Sequence, residues 1–240
     1  MQIEADNLDY QTLNQMIRES EDTDITIQNC LGQRYIGAGL SGKNLTIYGV
    51  PGNALGAYMD GTSIQLYGNA QEATGDTMNA GEIYIHGLAG DATGYAMRGG
   101  EVYVQGDIGY RAGIHMKEYE DKVPVLVVGG KAGSFLGEYQ AGGLIVVLNI
   151  GGDEEPPVGY FCGTGMHGGK IFLCCEHPPK DLPEQVCWKK AEAADLEVIK
   201  PYVQKFADAF QMDAEALLDR PFILLTPNSA SPYKQLYTAV

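Results

Sequence analysis

Eight short apolar runs recur along the chain at nearly constant intervals, and that interval restricts the fold more than any other feature. The runs begin at Ile25, Leu45, Ile64, Ile83, Val102, Val125, Ile145 and Ile171. Their start-to-start spacings are 20, 19, 19, 19, 23, 20 and 26 residues. Each run alternates apolar and polar positions with a period of two, the pattern of a half-buried strand rather than a helix. Glycines keep the same beat: Gly49 to Gly56, Gly68 to Gly75, Gly87 to Gly94 and Gly106 to Gly113 are each seven residues apart, and Gly61, Gly81 and Gly100 mark a second corner. Glycine suits corners because it takes positive φ without a Cβ clash. Glycine supplies 32 of the 240 residues.

Stacking such units, one per repeat, predicts an all-β core: a right-handed parallel β-helix with turns of about 19 residues. A β-sandwich is the competing architecture, but hairpins do not require a near-constant period. The inward column is expected to hold Leu45, Ile64, Ile83, Val102, Val125, Ile145 and Ile171. Opposite positions are polar in early repeats (Thr46, Tyr48, Gln65, Tyr67) and apolar in later ones (Leu126, Val128, Val146, Leu148, Phe172). A solvated face does not need those later residues, so something covers them.

Three regions follow. Residues 1–24 form an N-terminal cap containing a short amphipathic helix over 9–20, and 25–175 form the repeat domain. Residues 176–240 form a mainly helical C-terminal extension that packs on the repeats or on a partner. In the extension, one helix is expected over 186–200. A second is opened by Pro201 and carries Tyr202, Val203, Phe206, Ala207 and Phe210, and a third runs from Asp213 to Leu218. The run FILLTP from Phe222 reads as a last strand or an extended arm.

Charge narrows the function. Sixteen basic against 31 acidic residues give a net charge of −15, which disfavours nucleic acid. No apolar run is long enough to span a membrane, and the first residues lack a basic and an apolar region, so no secretory signal is expected. Five cysteines fit reduced thiols in a cytoplasm.

Chemical motifs are weak. Gly37-Ala-Gly39-Leu-Ser-Gly42 and Gly163-Thr-Gly165-Met-His-Gly168 match G-x-G-x-x-G, but strands follow them, not helices. His115 and His167 each lie two residues after a glycine, which would place them in one column two repeats apart, too far for one metal. Cys162, Cys174, Cys175 and Cys187 lack iron–sulfur spacing. Met59, Met78, Met97 and Met116 recur every 19 residues and read as core filling. A nucleophile elbow is absent. We therefore expect no catalytic, cofactor-binding or metal-binding residue. Two enlarged repeats, at 117–122 and 151–157, mark a candidate partner interface. It comprises Arg111, His115, Lys117, Asp153, Glu154, Glu155 and His167, with the two insertions close together along the stack and the acidic residues supplying charge.

The blocks GYRAGIHMKEY (109–119), GGKAGSFLGEYQAGGLIVVLN (129–149) and GTGMHGGKIFL (163–173) resemble the GXGXG-motif family. That family includes the C-terminal domain of the glutamate synthase large subunit and one of the subunits of formylmethanofuran dehydrogenases. The tail, with Phe222, Pro227, Pro232, Tyr233 and Tyr237, looks like the free-standing version of the glutamate synthase domain. The resemblance implies a domain without chemistry of its own. Glutaminase action would belong to an amidotransferase with an N-terminal cysteine, and FMN and the iron–sulfur cluster to a synthase domain. In the formylmethanofuran enzymes the tungsten or molybdenum site lies in another subunit. The expectation is a noncatalytic subunit, without cofactor, of a glutamate synthase-like amidotransferase–flavoenzyme complex serving nitrogen metabolism. The alternative is a scaffold in a redox complex of the formylmethanofuran dehydrogenase type.

Overall fold

The computed structural model describes residues 1–152 and 155–228. Among these residues, eleven strands lie in a single mixed sheet, with three helices. The first nine strands pair in sequence order and in parallel: β1 (Gln2–Glu4), β2 (Asp24–Leu31), β3 (Asn44–Val50), β4 (Asp60–Tyr67), β5 (Ala80–Ile85), β6 (Glu101–Val104), β7 (Val125–Val128), β8 (Ala141–Val147) and β9 (Gly168–Cys174). Then β11 (Phe222–Pro227) returns antiparallel on β9, and β10 (Val186–Lys190) pairs antiparallel with β11 at the edge. The helices are α1 (Tyr10–Glu19), α2 (Ala193–Phe210) and α3 (Ala214–Leu218).

This corrects the expected parallel β-helix with a mainly helical extension. The strands make one continuous mixed sheet, and the C-terminal region lengthens it by two antiparallel strands. An uncovered β9 edge would leave a row of unpaired backbone groups, and β11 takes them up. The helix expected over 186–200 is also corrected. Its first residues form β10, while α2 runs unbroken from Ala193 through Pro201 to Phe210. Pro201 lies on the exposed side with Glu197, whose carbonyl can take water in place of the lost helix bond. A continuous stripe of Ile199, Val203, Phe206 and Phe210 requires one helix on both sides of the proline. At the front, α1 is capped by the Asp9 carboxylate, which accepts from the N–H groups of Gln11 and Thr12, and it buries Leu13 and Ile17.

Register across the sheet defines the inner columns. Ile25, Leu45, Ile64, Ile83, Val102, Leu126, Ile145, Ile171 and Leu225 are successive partners. Leu126, not Val125, occupies the sixth repeat's place. The 117–122 insertion lengthens its repeat to 24 residues, and a one-residue slip turns every side chain to the other face. Val125 and Val127 consequently join the opposite cluster. There Tyr84, Tyr103, Val146 and Phe172 pack against Ile199, Val203, Phe206 and Phe210 of α2.

The inner face is closed by a stack of seven turns, at 34–39, 53–58, 72–77, 91–96, 110–115, 134–139 and 160–165. In each turn three alternate residues are left-handed, with φ between +50° and +73°; the first set is Tyr35, Gly37 and Gly39. The middle residue is always glycine, because it sits on the inner columns. A Cβ at Gly56 would lie 2.6 Å from Ile83 Cδ1, and one at Gly113 2.5 Å from Ile145 Cδ1. Turns bond both ways: Ala54 N–H donates forward to Glu72 O and Gly56 N–H backward to Ile36 O, at 2.9 and 2.8 Å. The methionine ladder is buried between these glycines and the strands, and Gln140 takes its place in the sixth turn. Gln140 Nε2 donates to the carbonyls of Gly142 and Gly143, where β8 bulges.

Candidate functional site

The first and third left-handed positions of each turn face outward, so their side chains are not dictated by the core. Across the seven turns the first position reads Tyr35, Ala54, Ala73, Ala92, Arg111, Phe135 and Phe161. The third reads Gly39, Tyr58, Thr77, Ala96, His115, Tyr139 and Gly165. A left-handed conformation costs a non-glycine residue about 1 kcal/mol or more. Large rings nevertheless stand there exposed: Tyr58 is 58% and Phe161 49% accessible, with Tyr160 beside it at 70%.

Two of the expected interface residues meet in the fifth turn. Arg111 Nε lies 3.0 Å from Glu138 Oε2 in the next turn, and its guanidinium lies 5.0 and 5.4 Å from the ring centroids of Tyr110 and Phe135. Glu138 is buried at 6% exposure, so Arg111 supplies the charge that makes its burial tolerable. His115 stacks on Tyr139 at 5.2 Å with an interplanar angle of 11°, and meets Tyr95 edge-on at 6.0 Å. Phe135 in turn packs on Phe161 at 5.0 Å. The last three turns thus carry one continuous aromatic and cationic surface.

Other expected members lie elsewhere. His167 does not share a column with His115; the third position of its turn is Gly165, on which the Tyr139 ring lies. His167 aligns instead with Lys117, by way of Ala141, because their N–H groups bond back to Gln140, Met97 and Met116 respectively. The His167 ring Nδ1 lies 3.1 Å from Gly165 O. The two insertions also leave from different corners. Residues 117–122 precede β7 and are closed by paired bonds between Tyr119 and Lys122, whereas 151–157 follow β8. The expected proximity of the insertions therefore fails, since a strand's length separates their exits. Asp153 and Glu154 lie outside the described residues. Glu155 lines an open depression of about 430 Å³ with Tyr160, Pro179, Lys180 and Asp181.

Sequence reasoning missed Phe135, Phe161, Tyr58 and Glu138. Counting two residues either side of each middle glycine finds the first three. It also missed the polar junction that fastens α2. Lys205 Nζ bonds to Glu82 Oε1 and Glu101 Oε2, both at 2.8 Å, across neighbouring strands. Tyr84 OH donates to Glu82 at 2.9 Å, and Tyr103 OH donates to Glu101. Burial, then these carboxylates, push both phenols well above their usual value. At Lys205 burial opposes the charge, but the bonds to Glu101 and Glu82 prevail and raise its pKa.

The four buried cysteines are poor nucleophiles. Burial pushes Cys30 up to about 11 and Cys162 and Cys175 up to about 12; Cys174 is raised as well, and Cys187 alone is exposed. Among the described residues, no group of three His, Cys, Asp or Glu side chains is placed to hold a metal ion, and no helix is long and apolar enough to cross a membrane.

Comparison with known proteins gives three results. A family model described as the GXGXG motif matches residues 9–222. An uncharacterized protein of Methanocaldococcus jannaschii is 46% identical over 249 residues, covering 98% of this chain and 95% of that protein. Among solved structures, a chain of the formyltransferase/hydrolase complex from Methylorubrum extorquens, determined with methylofuran, superposes with a TM-score of 0.64. It is 18% identical and the match covers 88% of this chain and 80% of that one, a likeness of fold.

Proposed function

Because the chain belongs to the GXGXG-motif family, we propose that it is a noncatalytic subunit holding together a multi-subunit enzyme of the formyltransferase/hydrolase or formylmethanofuran dehydrogenase kind. The observation that carries this reading is the fold match over 88% of the chain to a component of such an assembly. That match favours this assignment over the glutamate synthase-like complex that the tail suggested.

The use of the side chains supports a structural role. Glu82, Glu101 and Lys205 are spent in fastening a helix, Glu138 in holding Arg111, and four thiols are buried and protonated. A surface open to a partner among the described residues is the turn stack, where Arg111 and His115 stand among exposed rings. Lys117 and His167 lie on the adjoining corner and Glu155 near the last turn, so each extends that surface.

Affinity purification from the native host, with identification of the co-eluting chains, tests the proposal. Recovery of catalytic subunits of formyl-group chemistry is the expected result. Recovery of an amidotransferase with an FMN-dependent synthase would overturn it in favour of the glutamate synthase-like reading. Recovery of the chain without other subunits would overturn both.

A further inference from the structure

The sheet ends on β10, which bonds to β11 on one side and among the described residues has no strand on the other. Ala191 N–H donates to Phe222 O at 2.8 Å, and Asn228 N–H donates to Gln185 O at 2.9 Å. Bonded and non-bonded pairs alternate along an antiparallel ladder, so residues 185, 187, 189 and 191 turn their backbone groups to β11. Val186, Trp188 and Lys190 turn theirs outward. Val186 N–H is closed by Pro183 O at 2.9 Å. What stays open is a donor at Trp188 and at Lys190, and an acceptor at Val186, Trp188 and Lys190. Side chains narrow what can fill this edge. Trp188 continues the inner row beyond Leu225; Leu225 is fully buried, whereas Trp188 is 51% exposed. Lys189 is paired with Asp195 at 2.7 Å and Lys190 with Glu176 at 3.5 Å, so the strand is electrically balanced and selects neither an acidic nor a basic segment.

We propose that the edge is covered by β10 of a second copy of this chain, antiparallel about a two-fold axis that passes through the Trp188 pair, perpendicular to the sheet. A two-fold contact is self-complementary, and this edge matches itself. Trp188 exchanges both backbone bonds with its counterpart, and each Lys190 N–H meets the Val186 carbonyl of the other copy. Every open donor is thereby taken up. The two indole rings stand opposite each other on one face and cover one another. Lysines blunt a sheet edge, but both stand in one half of β10, and the two-fold sets that half against the half without them. Lys190 then lies across from Val186 and Lys189 across from Cys187, whereas a register centred on Lys190 would set lysine on lysine and part the rings. At the far edge of the sheet, β1 turns only Gln2 and Glu4 outward and has no ring to cover Trp188. The five residues of β10 span about 17 Å, short of a permanent interface, so the dimer is weak, with a dissociation constant on the order of 10–100 µM.

Sedimentation of the full chain from about 1 µM to about 1 mM, at low and high salt, tests this. The expected result is a monomer–dimer equilibrium that tightens in high salt, because each copy carries a net charge of −15. Trp188 is the chain's one tryptophan, so its emission should move to shorter wavelength as the dimer forms. Cys187 is the one exposed cysteine, and the two-fold places its Cα about 8 Å from its counterpart on the same face. A short bismaleimide should therefore yield a covalent dimer, which Cys187→Ser abolishes. Trp188→Ala should weaken the dimer at least tenfold. So should Lys190→Pro, which removes an outward N–H and leaves the bonds to β11 intact. A wild-type monomer at every concentration overturns the proposal. So does a dimer indifferent to both variants, or one without the emission shift or the cross-link. Species that grow beyond the dimer would mean head-to-tail contact, and would also overturn it. A monomer from which Trp188→Ala removes a co-purifying subunit would assign the edge to that subunit and refute the second copy.

Discussion

Replacing Gly56 by alanine probes the contact between turn stack and sheet at a single atom. The new Cβ would lie 2.6 Å from Ile83 Cδ1, while Ile64 Cδ1 at 3.5 Å and Ile83 Cγ1 at 3.6 Å are ordinary neighbours. Gly56 has φ +67°, so alanine there brings about 1 kcal/mol of strain. Overpacking in a filled core adds about 1–3 kcal/mol, giving a loss of about 2–4 kcal/mol. Ile83→Val alone removes the Cδ1 methyl and costs about 0.5–1.5 kcal/mol. In the double variant the clashing atom is gone, so the combined loss should fall short of the sum by about 1–2 kcal/mol. Gly75→Ala is the control: its Cβ would be 3.8 Å from Ile83 Cδ1 and 3.1 Å from Val102 Cγ2, so it should add to Ile83→Val without coupling. Urea unfolding of the wild type and the single and double variants measures this. Additivity of Gly56→Ala and Ile83→Val within about 0.3 kcal/mol would refute the placement of the turn glycines over the inner columns.

Three further expectations concern α2 and the thiols. Phe206→Ala removes a fully buried ring between α2 and the outer face and should lower unfolding stability by about 3–5 kcal/mol; a loss under about 1 kcal/mol in denaturant titration would mean that α2 is not docked there. The raised pKa values of Tyr84 and Tyr103 mean that the folded chain holds more phenolic protons than the unfolded chain above pH 10. Lys205 acts in the same direction, its contribution being complete below 10.5 and lost as pH rises through its higher folded value. Stability should therefore fall above pH 10, and Tyr103→Phe should flatten that fall; an unchanged pH profile for the variant would count against the junction. Iodoacetamide on the native chain should label Cys187 alone, read by mass spectrometry, with Cys30, Cys162, Cys174 and Cys175 reacting only in denaturant.

The early repeats were legible because their period is constant. Ile64, Ile83 and Val102 pair in the expected register, and their positions follow from 19-residue spacing alone. Legibility failed where an insertion hid the phase. Val125 and Leu126 are both apolar, so alternation could not choose between them, and only the pairing of Val102 with Leu126 does. The same loss of phase separated His115 from His167. The C-terminal strands were hidden for another reason. Val186–Lys190 is followed by a strongly helical composition, and its pairing with Phe222–Pro227 is a contact across more than thirty residues that no local pattern encodes. At the candidate surface, Arg111 and His115 were visible because they stand just before the 117–122 insertion. Glu138 was not, because an acidic side chain in a turn reads as exposed until its partner is placed.

The two ends of the turn stack are closed by side chains imitating the backbone. At the last turn no eighth turn follows, and the Phe161 N–H that would have sought its carbonyl donates to Asp181 Oδ2 at 2.7 Å. At the other end no earlier turn reaches the carbonyls of Arg34 and Ala38, and side chains of α1 donate to them, Asn14 Nδ2 to Arg34 O at 2.9 Å and Arg18 Nη2 to Ala38 O at 3.5 Å. Nothing in the bonding of a middle turn says how many turns there should be, since each presents to the next what it receives from the last. The tally is ended by Asp181 on one side and by Asn14 and Arg18 on the other. Without those side chains the open donor of the last turn would match the open carbonyls of the first turn of another molecule, and a structure of fixed length would acquire the means to grow.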